Sequence, residues 1–542
     1  MKYQNIVARL AENAKSIPNT PAIIDPRKKS ARSITFKELY SEVNRLAFGF
    51  SKAGLKKGNR VLLIVKPGVD LIAITYSLFR LGAVPVLIDP GLGRKNILNC
   101  IKESQPESMI GIPIIHFIRI LFPKYFSNVK FFITTGKQKF QNNFTINEIR
   151  KLGDKSVDLE TTDIHEPAAI LFTSGSTGSP KGVVYSHNNF FEQSNALEAI
   201  YQFKKGDIDL PTFPLFALFS GAFGMTSIVP DMNPTQPARV DPLKILSTVE
   251  KFGVINSFGS PALWDTVTHY CKIFQKPITG IQRVLIAGAP VSGKLLESFD
   301  SVVDKNCKIY TPYGATEALP VASIERHEVL NETWEKTKKG LGVCVGKPVQ
   351  GMKVKIIKIT DDPIQGWKSE LEVSQGIIGE IIVQSPWVTR SYFNRPQANE
   401  LAKITDGDSF WHRMGDVGYI DTEGRVWFCG RKSHRVVCKS ETLFTIPCEG
   451  IFNQIRSVKR SALLGIGEKG DQKPVLAIEL DHSLSKINEE EIKAKLLKTG
   501  SEFDLTKNIK DILFCKSFPV DIRHNAKIFR EKLAVWAEKK LR

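Results

Sequence analysis

Residues 171 to 187 read LFTSGSTGSPKGVVYSH, and within them residues 174 to 182 read as a flexible, hydroxyl-rich loop carrying one ammonium. Ser174, Gly175, Ser176, Thr177 and Gly178 precede Lys181, and Thr173 adds a hydroxyl where the loop begins. Glycines let the backbone approach a polyanion closely, and N–H and O–H groups can wrap phosphate oxygens. This is not a Walker A loop, because Lys181 is followed by Gly182 rather than by Ser or Thr. A strand connection could hold some Gly and Ser, but this order of residues points to phosphate.

Further candidates follow in chain order. Residues 307 to 317 read CKIYTPYGATE, residues 415 to 419 read GDVGY, and Arg431 stands in GRK. Near the C-terminus, residues 519 to 527 read PVDIRHNAK. Taken with the loop, these motifs resemble the acyl-adenylate-forming superfamily of acyl-CoA synthetases, luciferases and peptide-synthetase adenylation domains. The resemblance covers about residues 170 to 530 and implies ATP and Mg²⁺ as cofactors. It implies that Glu317, with the Thr173 hydroxyl, holds the metal, a hard ion that prefers oxygen ligands. By the same resemblance Thr316 contacts the α-phosphate or acyl oxygen, while Tyr313 and Gly314 lie near the adenine. Gly288, Ala289 and Pro290 resemble the adenine-edge segment, although a simple turn would explain them too. Asp416 would accept both ribose hydroxyls, with Arg431 beside it. Lys527 would bridge the acyl carboxylate and the phosphate, neutralising charge as two anions approach.

Those residues need a frame that brings them together. From residue 59 onward, short β-branched runs alternate with helical patterns. Asn59–Pro67, Ala83–Pro90, Ala168–Thr173, Gly182–Ser186 and Arg283–Ala289 read as strands, and Val69–Leu81 and Asn188–Tyr201 as helices. The alternation predicts an α/β fold with a mostly parallel sheet and helices on both faces. Ligands in such sheets collect beyond the carboxyl ends of strands, where the phosphate loop stands. After about Val345 the strands alternate more strictly, and beyond Lys432 a Lys- and Glu-rich βα pattern ends in a helix near Lys527–Lys540. The expected architecture is a large N-terminal adenylation region of stacked sheets with flanking helices and a small distorted barrel (residues 1–431). A small mobile α+β C-terminal domain carrying Lys527 follows (432–542).

The totals agree with that frame and exclude others. A chain of 542 residues is too long for one small core. Its 75 Lys and Arg against 56 Asp and Glu give a net charge of +19, but the bases are scattered. With no zinc-finger or RNP-like pattern, nucleic acid is not expected as a partner; the positive field suits ATP and a fatty carboxylate. Eight cysteines without a C-x-x-C pair read as reduced thiols in a cytoplasmic protein. The first fifteen residues predict a short amphipathic helix rather than a signal peptide, and no apolar run is long enough to span a membrane. Residues 109 to 122, MIGIPIIHFIRILF, are strongly apolar but broken by Pro113. A half-buried helix is expected there, with His116 and Arg119 on one face; peripheral membrane contact is the alternative.

Departures from ordinary acyl-CoA ligases narrow the branch. Ala217 occupies the place of a gate histidine, Ser433 that of the Asp or Lys hinge, and Ser440 and Glu441 narrow the route of a pantetheine arm. Residues 213–238, 311–322, 430–436 and 521–537 resemble the β-lactone synthetases of bacterial long-chain olefin formation. That resemblance implies adenylation of a long-chain 2-alkyl-3-hydroxy fatty acid, then attack by its own 3-hydroxyl to release AMP and a β-lactone, without CoA. It also implies a hydrolase and a reductase of the same pathway as partners. A fatty acyl-CoA or acyl-carrier ligase is the alternative. Phe216, Phe219, Phe223 and Met225 fit an alkyl-chain pocket and core packing equally. His434 and His524 fall in the group-specific stretches, where a structural role explains them at least as well as that of a base.

Overall fold

The computed structural model describes residues 5–27, 31–137, 143–173, 179–481, 488–520 and 528–542, and the main chain but not the side chain of Thr173. Two large sheets carry most of the chain. In the first, Pro167–Thr173, Val84–Ile88, Arg60–Ile64, Ser108–Gly111, Phe131–Thr134 and Phe144–Thr145 run parallel in that order. Lys181–Ser186 and then Ser391–Tyr392 extend it antiparallel beyond Pro167–Thr173. The second sheet has a parallel half, from Pro21–Asp25 through Thr226–Ile228, Ile208–Pro211, Asn256–Gly259 and Arg283–Ile286 to Lys308–Ala315.

Its antiparallel half begins with the hairpin partner Ala318–Glu325 and continues through Val343–Pro348, Val426–Arg431, Ser409–Ile420, Gly379–Gln384 and Lys353–Ile357. The expected mostly parallel arrangement holds for the first sheet, where six of eight strands run parallel, and for one half of the second. Strand runs are legible from β-branched composition, but direction depends on connection length: a two-residue link such as Thr316–Glu317 permits only an antiparallel return.

The helix Val69–Leu81 shows how the layers join. Nearly all of its residues are buried, which a helix reaches only when covered on every side. Tyr76 within it donates to the Leu218 carbonyl at 2.5 Å, tying it to the helix Ala217–Phe223. The neighbouring helix Phe36–Lys52 starts at a capping box in which Thr35 and Glu38 satisfy each other's exposed N–H groups.

Residues 109 to 122 are not one helix. Ser108–Gly111 is an internal strand, and the helix starts at Pro113, whose missing N–H costs nothing at the first helical position. Beyond Arg431, a three-stranded sheet (Val458–Ile466, Lys473–Leu480, Asp511–Phe514) packs with the helices Thr445–Phe452, Glu489–Ser501 and Arg530–Leu541 around its own apolar clusters. Arg530 ties the last of these helices to Glu449 through contacts of 2.6 and 2.9 Å.

Candidate active site

Three distant segments meet where the first sheet adjoins the hairpin of the second. Lys181 lies opposite Thr173 in the antiparallel ladder, which brings the two ends of the Gly- and Ser-rich loop together. Ser174, Gly175, Ser176, Thr177 and Gly178 lie outside the described residues, as does the Thr173 side chain. The Lys181 ammonium stands 4.9 Å from the ring centre of Tyr392, a residue on the short strand paired with Val183 and Val184. The Tyr392 hydroxyl donates to Glu317 Oε1 at 2.7 Å. Burial, and secondly the Glu317 charge, push this phenol upward, so it stays a proton donor. The main chain around Glu317 is fixed as well. Its carbonyl accepts from the Thr389 N–H at 2.9 Å, and the Thr316 carbonyl accepts from the Tyr185 hydroxyl at 2.5 Å. Gly314 is required at the hairpin: an added Cβ would lie 2.4 Å from the Ala318 carbonyl oxygen.

A second cluster lies alongside. Asp416 and Arg431 are directly opposed between Ser409–Ile420 and Val426–Arg431. Arg431 Nη1 sits 2.9 Å from Asp416 Oδ1, and the Tyr313 hydroxyl donates to Asp416 Oδ2 at 2.6 Å. The Asp416 charge holds the Arg431 guanidinium above its ordinary value. Burial, then Asp416, raises the Tyr313 phenol far above its own. A carboxylate can accept about four hydrogen bonds, so these contacts are compatible with a diol donating to it as well. Tyr313 is thus two residues from the strand end that carries Thr316 and Glu317, which links the two clusters.

The remaining candidates are spread around this centre. Gly288, Ala289 and Pro290 follow the strand Arg283–Ile286, beside Lys308–Ala315, with Gly288 at φ +98° and both Gly288 and Pro290 exposed. Phe216 is half-buried and stacks on Phe258 at 3.8 Å between ring centres, and Phe219 is half-buried between Phe216 and Phe223. Phe223 and Met225 are buried in an apolar cluster with Leu197, Tyr201 and Leu285. Ala217 is buried at the start of its helix. Glu441 accepts from Asn508 Nδ2 at 2.7 Å at the turn that also holds Ser440. His434 faces Glu531 at 3.5 Å, and burial with two nearby arginines, Arg530 and Arg431, pushes its imidazole down to about 3. His524 and Lys527 lie outside the described residues; on either side of them, Val520 bridges Ile528 and the Phe529 N–H donates to the Pro519 carbonyl at 2.8 Å.

Tyr392, Thr389 and Lys403 escape sequence reasoning. Lys403 donates to the Thr389 carbonyl, and burial lowers its ammonium to about 7 against the opposing pull of Glu317. No local spacing signals them: Tyr392 and Thr389 reach Glu317 across 75 and 72 residues, and strand pairing brings Tyr392 to Lys181. Tyr392→Phe removes one hydrogen bond to a carboxylate, worth about 1.5–3 kcal/mol. Roughly a ten-fold higher Mg²⁺ requirement for pyrophosphate exchange is expected, with the fold retained and a melting temperature lower by a few degrees at most; an unchanged Mg²⁺ titration would exclude Tyr392 from orienting Glu317.

The donor set around Glu317 fits magnesium. Mg²⁺ takes one or two carboxylates and leaves its other positions to phosphate and water. Among the described residues no group of three or more His, Cys, Asp or Glu could hold a metal by itself. One oriented carboxylate therefore suits an ion that arrives with a triphosphate.

Residues 10–393 match the AMP-binding enzyme family. The chain is 41% identical to an olefin beta-lactone synthetase of Stenotrophomonas maltophilia, over 99% of this chain and 98% of that protein. It is 40% identical to the olefin beta-lactone synthetase of Xanthomonas campestris, over 98% and 97%. The structure of O-succinylbenzoate coenzyme A synthetase from Bacillus subtilis, in complex with ATP and magnesium ion, superposes with a TM-score of 0.76 at 20% identity, covering 97% of this chain and 98% of that one.

Proposed function

The chain belongs to the AMP-binding enzyme family, and we propose that it adenylates a long-chain 2-alkyl-3-hydroxy fatty acid and closes the product to a β-lactone. The observation that carries this reading is end-to-end similarity to olefin beta-lactone synthetases at 40–41% identity. In the first half-reaction the substrate carboxylate attacks the α-phosphorus of ATP, and the bond to the leaving pyrophosphate breaks. The loop 173–181 would cradle the phosphates, Asp416 would accept the ribose hydroxyls, and Tyr313 with Gly288, Ala289 and Pro290 would border the adenine. Thr316 would contact the α-phosphate or acyl oxygen, and Lys527 would offset the charge of the two approaching anions. Glu317 and Thr173 would hold Mg²⁺, which when bound neutralises phosphate charge.

In the second half-reaction the 3-hydroxyl oxygen attacks the acyl carbonyl, AMP leaves, and the hydroxyl proton is released. The nucleophile is already tethered, so its effective concentration is high and no external thiol is needed. Glu441, hydrogen-bonded to Asn508 at the 440–441 turn, supports a site that does not admit pantetheine. Phe216 and Phe219, half-buried, suit the alkyl chain better than Phe223 and Met225. Separate apolar clusters beyond Arg431 support units of 1–431 and 432–542, and eight free thiols suit a cytoplasmic location.

An acid lacking the 3-hydroxyl separates the half-reactions. It is expected to support ATP–pyrophosphate exchange while AMP release stalls after one turnover. Continuous AMP release from the deoxy acid, at the rate of the hydroxy acid and without added thiol, would overturn ring closure as the fate of the adenylate.

A further inference from the structure

The helix Pro113–Leu121 turns an apolar face outward. Ile115 and His116 are buried against the sheet, whereas Ile114, Ile120 and Leu121 are 56%, 62% and 71% exposed. Large aliphatic side chains grouped on one short helix in this way mark an interaction surface. The charge of the segment that carries the helix is of one sign. From Ser108 to Asn147 the chain contains Arg119, Lys124, Lys130, Lys137 and Lys139, and no Asp or Glu.

The structure places this charge at both ends of the apolar face. Gly136, next to exposed Lys137, packs against the ring of Pro113 at the helix start. At the other end Arg94 lies 4.5 Å over the ring of Phe122, and Lys124 follows on the next turn. Lys95 is exposed beside Arg94. The adjoining acidic residues, Glu103 and Glu107, pair with Arg395 at 2.6 Å and Arg60 at 3.0 Å.

We propose that this face docks the protein on an anionic lipid bilayer. A nine-residue helix is too short to cross the hydrocarbon, and no helix among the described residues is long and apolar enough to do so. An amphipathic helix lying in the interface satisfies both halves of the surface: the aliphatic residues enter the acyl boundary while the basic rim meets headgroup phosphates. A second copy of the chain is disfavoured, because a two-fold contact would set the same basic rim against itself on molecules each carrying +19. The inference stands on this helix and the basic residues beside it and does not depend on the reaction proposed above.

Co-sedimentation of the full chain with vesicles of phosphatidylethanolamine and phosphatidylglycerol, roughly three to one, tests it. Binding is expected on these vesicles and not on phosphatidylcholine alone, and it weakens as salt rises. The triple variant Ile114→Ser/Ile120→Ser/Leu121→Ser is expected to lower the partition coefficient on the order of 100-fold. Ile120→Trp, made separately, is expected to be quenched by brominated acyl chains, whereas Ile273→Trp on the helix Pro261–Ile273 of the other sheet is not. This second readout holds even if the triple variant misfolds. Wild-type protein left in the supernatant, equal sedimentation of a folded triple variant, or equal quenching at both tryptophans would overturn the proposal. So would a wild-type dimer in light scattering that the triple variant converts to monomer, with no vesicle binding.

Discussion

Lys527→Ala is expected to lower acid-dependent ATP–pyrophosphate exchange about 100- to 1,000-fold, the scale of removing one preorganised group that meets developing charge. Carboxylate and triphosphate repel each other as they approach, and an ammonium between them acts most strongly in the transition state. The loss should therefore fall on kcat rather than on the KM for ATP. The fold should be untouched. The adjoining helix is held through Arg530 and Glu449, and Val520 bridges Ile528. Ring closure from a supplied acyl-adenylate should survive, because its nucleophile is a neutral hydroxyl. Pyrophosphate exchange at the wild-type rate would remove Lys527 from the chemistry.

Asp416→Ala carries the second large effect, and it acts on stability and nucleotide binding together. Asp416 is 3% exposed and meets Arg431 at 2.9 Å and the Tyr313 hydroxyl at 2.6 Å. Removing it leaves a guanidinium and a phenol facing each other without their acceptor, a change that costs about 3–5 kcal/mol when a buried pair is broken. Arg431 keeps some exposure, so the lower end of that range applies. The apparent ATP affinity should fall by about 100-fold, since two hydrogen bonds from ribose to a charged acceptor are also lost. Asp416→Asn keeps the shape and should recover much of the melting temperature but little of the affinity. Full ATP affinity in a folded Asp416→Asn variant would show that the carboxylate does not receive the ribose.

Local signals made much of this fold legible. The helix expected over Val69–Leu81 spans those residues, and the strand expected over Ala168–Thr173 begins one residue earlier. Both carry strong periodicity or β-branched runs bounded by turn residues. What escaped was long-range. Whether Lys181–Ser186 runs with or against Pro167–Thr173 depends on the geometry of the loop between them. The contact of Tyr392 with Glu317 depends on a two-residue strand that no propensity marks. Pro113 marks the break within residues 109–122 and a half-buried helix follows it, but composition alone does not show that the apolar residues before it form an internal strand. Similarly, aromatic content across 216–225 does not distinguish a pocket wall from core, and the structure separates half-buried Phe216 and Phe219 from buried Phe223 and Met225. The motif stretches stood out because each combines residue types that a simple turn or strand does not require.

The most direct test is a product analysis with purified protein, ATP, Mg²⁺ and a synthetic 2-alkyl-3-hydroxy fatty acid, with and without CoA. The expected result is a β-lactone formed in step with AMP and pyrophosphate, at the same rate whether or not CoA is present. A thioester appearing only when CoA is added, with no lactone in its absence, would contradict the account and assign the chain to the acyl-CoA ligases.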